Sequence, residues 1–116
     1  MTDDQTRPGA VFTHMEVADA HAASGKPYHQ YLTVPALSAG IYALPAGGGD
    51  PQSPHDEDEI YIVLTGKAQI AIDGIDYPAA RGDTIFVAKR VAHRFHSIEE
   101  DLRLLVVFAP AHAPRG

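Results

Sequence analysis

In the segment DPQSPHDEDEIYIVLTG, residues 50–66, one histidine is followed directly by four acidic residues and then by an apolar run. Side chains alternate between the two faces of an extended strand, so His55, Glu57 and Glu59 should share one face. Because Glu59 leads directly into the apolar run, we expect its carboxylate to point into the core. A buried carboxylate is costly unless it is paired, hydrogen-bonded or bound to a metal. A divalent cation would satisfy Glu59 and His55 together.

A second group of histidines lies in AHRFHSI, residues 92–98. His93 and Phe95 fall on one face of a strand and His96 falls on the other. Phe95 is a core candidate, so His93 should also point inward, whereas His96 should be partly exposed and outside the site. Imidazole and carboxylate donors from two distant strands are the composition of a mononuclear site for Zn, Fe, Mn, Ni or Cu(II).

The composition limits the chemistry further. The chain of 116 residues contains no cysteine, which excludes a thiol nucleophile and leaves His, Asp, Glu, Gln or water as metal ligands. The formal net charge is −6 and the nine basic residues are scattered, so neither nucleic acid nor an anionic membrane is an expected partner. No run approaches the ~18 apolar residues of a membrane span, and the N-terminus lacks the apolar core of a signal peptide. We therefore expect a cytoplasmic protein.

The distribution of Gly, Pro and Asp predicts the fold class. These residues interrupt the chain about every ten residues, which is typical of an all-β sandwich or barrel. We expect a short helical turn over 18–24, ended by Gly25, and one domain over 10–112 between flexible ends at 1–9 and 113–116. The predicted strands are 11–17, 28–34, 38–44, 59–65, 67–73, 75–79, 84–88, 92–98 and 102–109.

Two of these strands carry apolar residues on both faces: EIYIVLT at 59–65 and the LLVVF portion of the last strand. Such a strand is either central in a closed sandwich or part of an interface between subunits. We expect a homodimer. Four strand tyrosines are candidate pocket residues, although tyrosines in strands usually serve packing: Tyr28, Tyr31, Tyr42 and Tyr61.

Two motifs in the chain resemble those of the cupin superfamily. In the first, six residues separate Glu59 from Gly66, and three residues separate His55 from Glu59. The second runs in frame from Gly82 through GDTIFVAKRVAHRFHS and places its histidine at His93. The resemblance covers about residues 38–109 and implies a double-stranded β-helix, or jelly-roll barrel, of about nine or ten antiparallel strands with at most one short helix.

The resemblance also implies that His55, Glu59 and His93 bind one divalent transition metal. Simpler interpretations exist for each residue: a surface loop histidine, a carboxylate paired with Arg94, and a hydrogen-bonded core histidine. The match to both motifs favours ligation for all three. Asp56 and its neighbour Asp58, on the other strand face, are expected to be ordinary solvated charges.

The chain departs from the motif at the first of its two histidines, where Ser53 stands. The fourth ligand is therefore open between Gln52, Glu57 and water. Glu57 is more simply expected to be exposed among the other acids. In the second motif, the usual proline, glycine and asparagine are replaced by Ala88, Arg90 and Ser97.

Three functions are compatible with these residues. The first is a metal-dependent enzyme of the dioxygenase, lyase or isomerase type, acting on a small organic molecule in the barrel, with Glu57 as general base. The second is a non-catalytic cupin that binds or senses a small ligand. The third is a chiefly structural dimer. We favour the first, because this ligand set suits a metal that is open to substrate.

Overall fold

The computed structural model describes residues 8–52 and 54–112; Ser53 and most of the two predicted flexible ends lie outside this part of the chain. It contains one helix and six strands, and the helix is not long and apolar enough to cross a membrane. In chain order the elements are α1 (His14–Ser24), β1 (Tyr28–Val34), β2 (Leu37–Leu44), β3 (Asp58–Ile72), β4 (Ile75–Ala80), β5 (Thr84–Val87) and β6 (His93–Ala109).

The N-terminal helix replaces the strand predicted over 11–17, which is wrong. Thr13 caps the helix, and its side chain accepts a hydrogen bond from the backbone N–H of Glu16 at 3.2 Å. This Thr-x-x-Glu spacing is a helix start signal that outweighs a short apolar alternation. Gly25 ends the helix in the left-handed conformation, as predicted, because glycine adopts a φ of 67° without steric cost.

All strands form one antiparallel sheet in the order β1-β2-β6-β3-β4, with β5 also paired to β3. The predicted all-β antiparallel class is confirmed. The strands predicted over 59–65 and 67–73 are one continuous strand, β3, and those predicted over 92–98 and 102–109 are one continuous strand, β6. The described residues therefore form six strands and not nine or ten. The remaining strands start or end within one residue of the prediction.

The two long strands pair along most of their length and fold over as a ribbon. Glu59 lies opposite Phe108 at one end of the ribbon, and Ile72 lies opposite His93 at the other. Glu59 and His93 nevertheless approach to 3.0 Å, so the bend in the ribbon brings its two ends together. One core lies between the two halves. Its fully buried large residues include Tyr61, Val63, Ile70, Phe95, Leu102 and Leu104.

Gly66 lies at the bend of β3, where the register between β3 and β6 shifts. Its φ is 103°, and a Cβ there would overlap the carbonyl oxygen of Asp101 and lie 2.7 Å from the Cα of Leu102. The close crossing of the two strands therefore requires the absence of a side chain.

Replacing Gly66 by alanine should lower the free energy of unfolding by about 3 kcal/mol or more, because the substitution adds both backbone strain and overlap with Asp101. Gly74→Ala is the matched control: Gly74 has a φ of 81°, but no heavy atom lies within 4 Å of its added Cβ. The control should lose only about 1 kcal/mol. Urea unfolding measures both, and equal losses would contradict the importance of the close crossing.

Candidate metal centre

The three histidine and glutamate residues predicted as ligands come together at one end of the core. His55 lies on the loop before β3, Glu59 is the second residue of β3, and His93 is the first residue of β6. One ligand atom from each lies within 4.8 Å of the other two. The donor set and its spacing fit a divalent transition metal.

Glu59 carries the strongest indication that a cation belongs here. The residue is only 2% exposed, and its Oε1 atom accepts no hydrogen bond from the described residues. His93 Nε2 lies 3.0 Å away, close enough for an ion pair. Arg94, the alternative partner, is exposed and lies opposite Ala71 in the other half of β3. A buried carboxylate oxygen without a donor is rare in folded proteins and needs a positive charge beside it.

The hydrogen bond from His93 to the backbone fixes which of its two ring nitrogens faces Glu59. Its Nδ1 donates to the carbonyl of Val91 at 2.8 Å, which directs Nε2 toward Glu59 and the Tyr61 hydroxyl. Burial alone would lower the pKa of His93, but the adjacent Glu59 carboxylate and the hydrogen bond to the Val91 carbonyl outweigh it, and the pKa is raised. A proton on Nε2 balances Glu59 when no metal is bound, and a metal ion would replace that proton.

His55 is half-buried and faces the same space. Its Nε2 lies 3.1 Å from the Gln52 Oε1, and its ring packs edge-on against Phe108 with centroids 5.0 Å apart. Burial lowers the pKa of His55, and although the Glu59 carboxylate opposes this effect, the net shift is downward. The imidazole is therefore neutral near pH 7, which is the form that binds metals.

Gln52 and the buried Asp50 hold the loop that carries His55. The Gln52 Oε1 accepts a hydrogen bond from the Tyr61 hydroxyl at 3.1 Å, so this amide oxygen points toward the centre. The Gln52 side-chain N–H donates to Asp50. Asp50 also accepts from the Tyr42 hydroxyl at 2.6 Å and from the Phe95 backbone N–H at 2.9 Å. The sequence contains no signal for this anchor, because its donors come from distant strands.

Glu57 does not lie among solvated acids, so that expectation is wrong. Its side chain is 12% exposed, and its Oε1 lies 3.0 Å from the Nδ1 of His112. Together with His55 these residues form a second metal-capable cluster. Sequence reasoning missed His112. The sequence carries no signal for His112, because only the pairing of Asp58 with Ala109 in the folded sheet places residues after β6 beside residues before β3.

Three other expectations agree with the structure. Asp56 and Asp58 are exposed, and the Asp58 carboxylate accepts from the backbone N–H of Lys89 at 2.9 Å. His96 lies outside the centre, where its Nε2 bonds to Asp76 at 2.8 Å.

A cavity of about 180 Å³ opens onto this centre. This volume is below the usual range for drug-sized ligands and suits a small molecule. Of the four candidate tyrosines, Tyr28 and Tyr42 line the cavity, whereas Tyr31 packs against Phe12 with ring centroids 5.2 Å apart. The other lining residues are Gln52, His55, Glu59, Val106, Phe108 and His112.

Comparison with known proteins identifies close and distant relatives. Residues 40–108 match the family model described as "Cupin domain". Uncharacterized protein SCO3923 of Streptomyces coelicolor is 45% identical over 95 residues, which cover 82% of this chain and 90% of that protein.

Two solved structures share the fold. KdgF from Halomonas sp. matches with a TM-score of 0.67 and 20% identity, covering 73% of this chain and 78% of that one. The Schizosaccharomyces pombe Cnp3 cupin domain matches with a TM-score of 0.65 and 17% identity, covering 72% of this chain and 63% of that one. The predicted jelly-roll fold is confirmed.

Asp50→Ala should lower the free energy of unfolding by about 3 kcal/mol, because it leaves the donors of Tyr42, Gln52 and Phe95 without their shared acceptor. The matched control is Asp83→Ala, which removes an exposed carboxylate that accepts from Ala80. The control should cost no more than about 1 kcal/mol. Thermal and urea unfolding measure the difference. Similar losses in both variants would show that Asp50 is not an anchor.

Proposed function

The chain belongs to the cupin family, and on that premise we propose that His55, Glu59 and His93 bind one divalent transition-metal ion. The observation that carries this proposal is the buried Oε1 of Glu59, which accepts no hydrogen bond from the described residues and faces a ring nitrogen of His93. Nitrogen and oxygen donors of this kind suit Zn, Fe, Mn, Ni or Cu(II). Gln52, whose amide oxygen points to the same space, and water are further donors for the ion.

We propose that the protein is an enzyme acting on a small organic molecule, with chemistry of the dioxygenase, lyase or isomerase type. The ion would supply Lewis-acid or redox chemistry at the floor of the cavity. Tyr28, Tyr42 and Phe108 would hold an uncharged or planar part of the substrate. The cavity lining among the described residues includes no lysine or arginine, so an anionic group would have to reach the ion.

Glu57 was predicted to be the general base. It is not among the described residues that line the cavity, and its carboxylate faces His112. A general base must lie within hydrogen-bond reach of the proton that it takes, so Glu57 would need a water molecule between its carboxylate and the substrate to act in this role.

Adding Zn²⁺ or Ni²⁺ to metal-free protein should stabilise it by about 2.7 kcal/mol when the free metal is 100-fold above the dissociation constant. Glu59→Gln and His93→Gln should lose most of this gain. Glu99→Gln is the control, because Glu99 is exposed and pairs with Lys67 at the surface, and it should keep the gain. Thermal unfolding with and without metal measures the effect, and elemental analysis of the untagged protein identifies the ion.

A metal-free small-ligand-binding cupin is the second candidate. The contacts of Gln52 with His55 and Tyr61 favour this second function. The Gln52 Oε1 and the His55 Nε2 already have hydrogen-bond partners within the protein, so these two atoms do not need a metal ion. In that case the wild type would contain no metal and gain no stability from added ions, which would contradict the first proposal.

We propose that the protein is cytoplasmic and forms a homodimer, without nucleic-acid or membrane partners.

The outer face of the sheet carries exposed apolar side chains that support the dimer. Phe86 lies opposite Ile60, and Ile60 lies opposite Val107, so these apolar side chains share one face. Phe86 is 60% exposed and Ile60 is 39% exposed. Exposed apolar rows of this kind mark contact surfaces.

Phe86→Glu should convert the dimer into a monomer at micromolar concentration, because it places a charge at the most exposed residue of the apolar row. Met15→Glu is the control, since Met15 is 67% exposed and lies on α1, which contacts β1 at the other edge of the sheet. Light scattering coupled to gel filtration measures the mass. A wild type that elutes as a monomer, or a Phe86→Glu variant that stays dimeric, would exclude this surface.

A further inference from the structure

His112 lies beyond both cupin motifs, yet it is a defined part of the cavity wall. Its backbone N–H donates to the hydroxyl of Ser38 at 2.9 Å, and Ser38 is fully buried. Its ring stacks on Phe108 with centroids 4.6 Å apart and meets the ring of His55 edge-on at 5.2 Å. The segment after β6 therefore returns over the end of the core where the candidate ligands lie.

The contact with Glu57 defines which nitrogen of His112 is free. Nδ1 lies 3.0 Å from the Glu57 Oε1, so a neutral His112 donates its Nδ1–H to this carboxylate. Nε2 then carries the lone pair. A carboxylate that accepts from one ring nitrogen and leaves the other free is the usual support of a metal-binding histidine.

The two metal-capable clusters have His55 in common. One contains Glu59 and His93, and the other contains Glu57 and His112. A neutral imidazole has one nitrogen lone pair, so His55 can serve only one ion at a time. The two clusters therefore adjoin at His55 and cannot both bind an ion through it at the same time.

We propose that His112 is a further ligand of the ion proposed above, and that Glu57 orients it. This inference rests on the proposed metal-binding function. His55, Glu59 and His93 leave the set one imidazole short of the motif, because Ser53 stands at the first histidine position. His112 lies outside the motifs, and its ring contacts that of the shared ligand His55, with centroids 5.2 Å apart. His112, from the segment after β6, would thus take the place of the histidine that is missing from the first motif.

Calorimetric titration of metal-free full-length protein with Zn²⁺ tests the proposal. His112→Phe keeps a ring against Phe108 but removes both nitrogens, and it should weaken binding about 10- to 100-fold. Glu57→Gln removes the charged acceptor of His112 and should weaken binding about 10-fold. His29→Phe is the control, because His29 stacks on His21 away from the centre, and its affinity should equal that of the wild type.

X-ray absorption of the zinc-loaded wild type counts the imidazoles directly and does not depend on any variant folding. The proposal predicts three imidazoles in the wild type and two in His112→Phe. Two imidazoles in the wild type, or unchanged affinity in His112→Phe, would overturn the role of His112 and leave the three-residue centre intact. A wild type that takes up no zinc, nickel, manganese, iron or copper would instead overturn the metal-binding function on which the inference rests.

Discussion

The buried carboxylate of Glu59 is the constraint on which the rest of the centre depends. Glu59 lies between β5 and β6, opposite Val87 on one side and Phe108 on the other, so the sheet prevents its carboxylate from reaching water. Burial of a negative charge must be offset by a positive one nearby. A protonated His93 offsets the charge of Glu59 with one positive charge, and a divalent cation would offset it with two.

The fold holds this carboxylate and its partners in place with contacts outside the centre. The loop that carries His55 is attached at Asp50, which accepts from residues of β2 and β6, and at the His55 carbonyl, which accepts from the Arg90 N–H at 2.6 Å. The bend at Gly66 brings the two ends of the β3–β6 ribbon together. The ligand positions therefore depend on long-range packing more than on local structure, which is the arrangement that keeps a metal site rigid.

The alternation of side chains along a strand predicted correctly which way a side chain points when it lies within a strand. His93 and Phe95 both face the core, with Arg94 exposed between them, because alternation is a property of the extended backbone. His55 lies on the loop before β3, so its approach to Glu59 does not follow from strand alternation. Only the second half of the helix over His14–Ser24 was predicted, because the cap signal at its start competed with a short apolar alternation. Asp50 and His112 could not be predicted in their present roles. Their partners lie on distant strands, and only the pairing of β3 with β6 brings those partners within reach.

Anomalous diffraction from crystals grown with one metal is the most direct test of the centre. The account predicts a single strong peak at the absorption edge of that metal, about 2.0–2.2 Å from a nitrogen of His55, a nitrogen of His93 and an oxygen of Glu59. A peak only at surface carboxylates such as Asp56 and Asp58, or no peak beside Glu59 at saturating metal, would contradict it. In that case the Glu59 charge would be balanced by the proton on His93 alone.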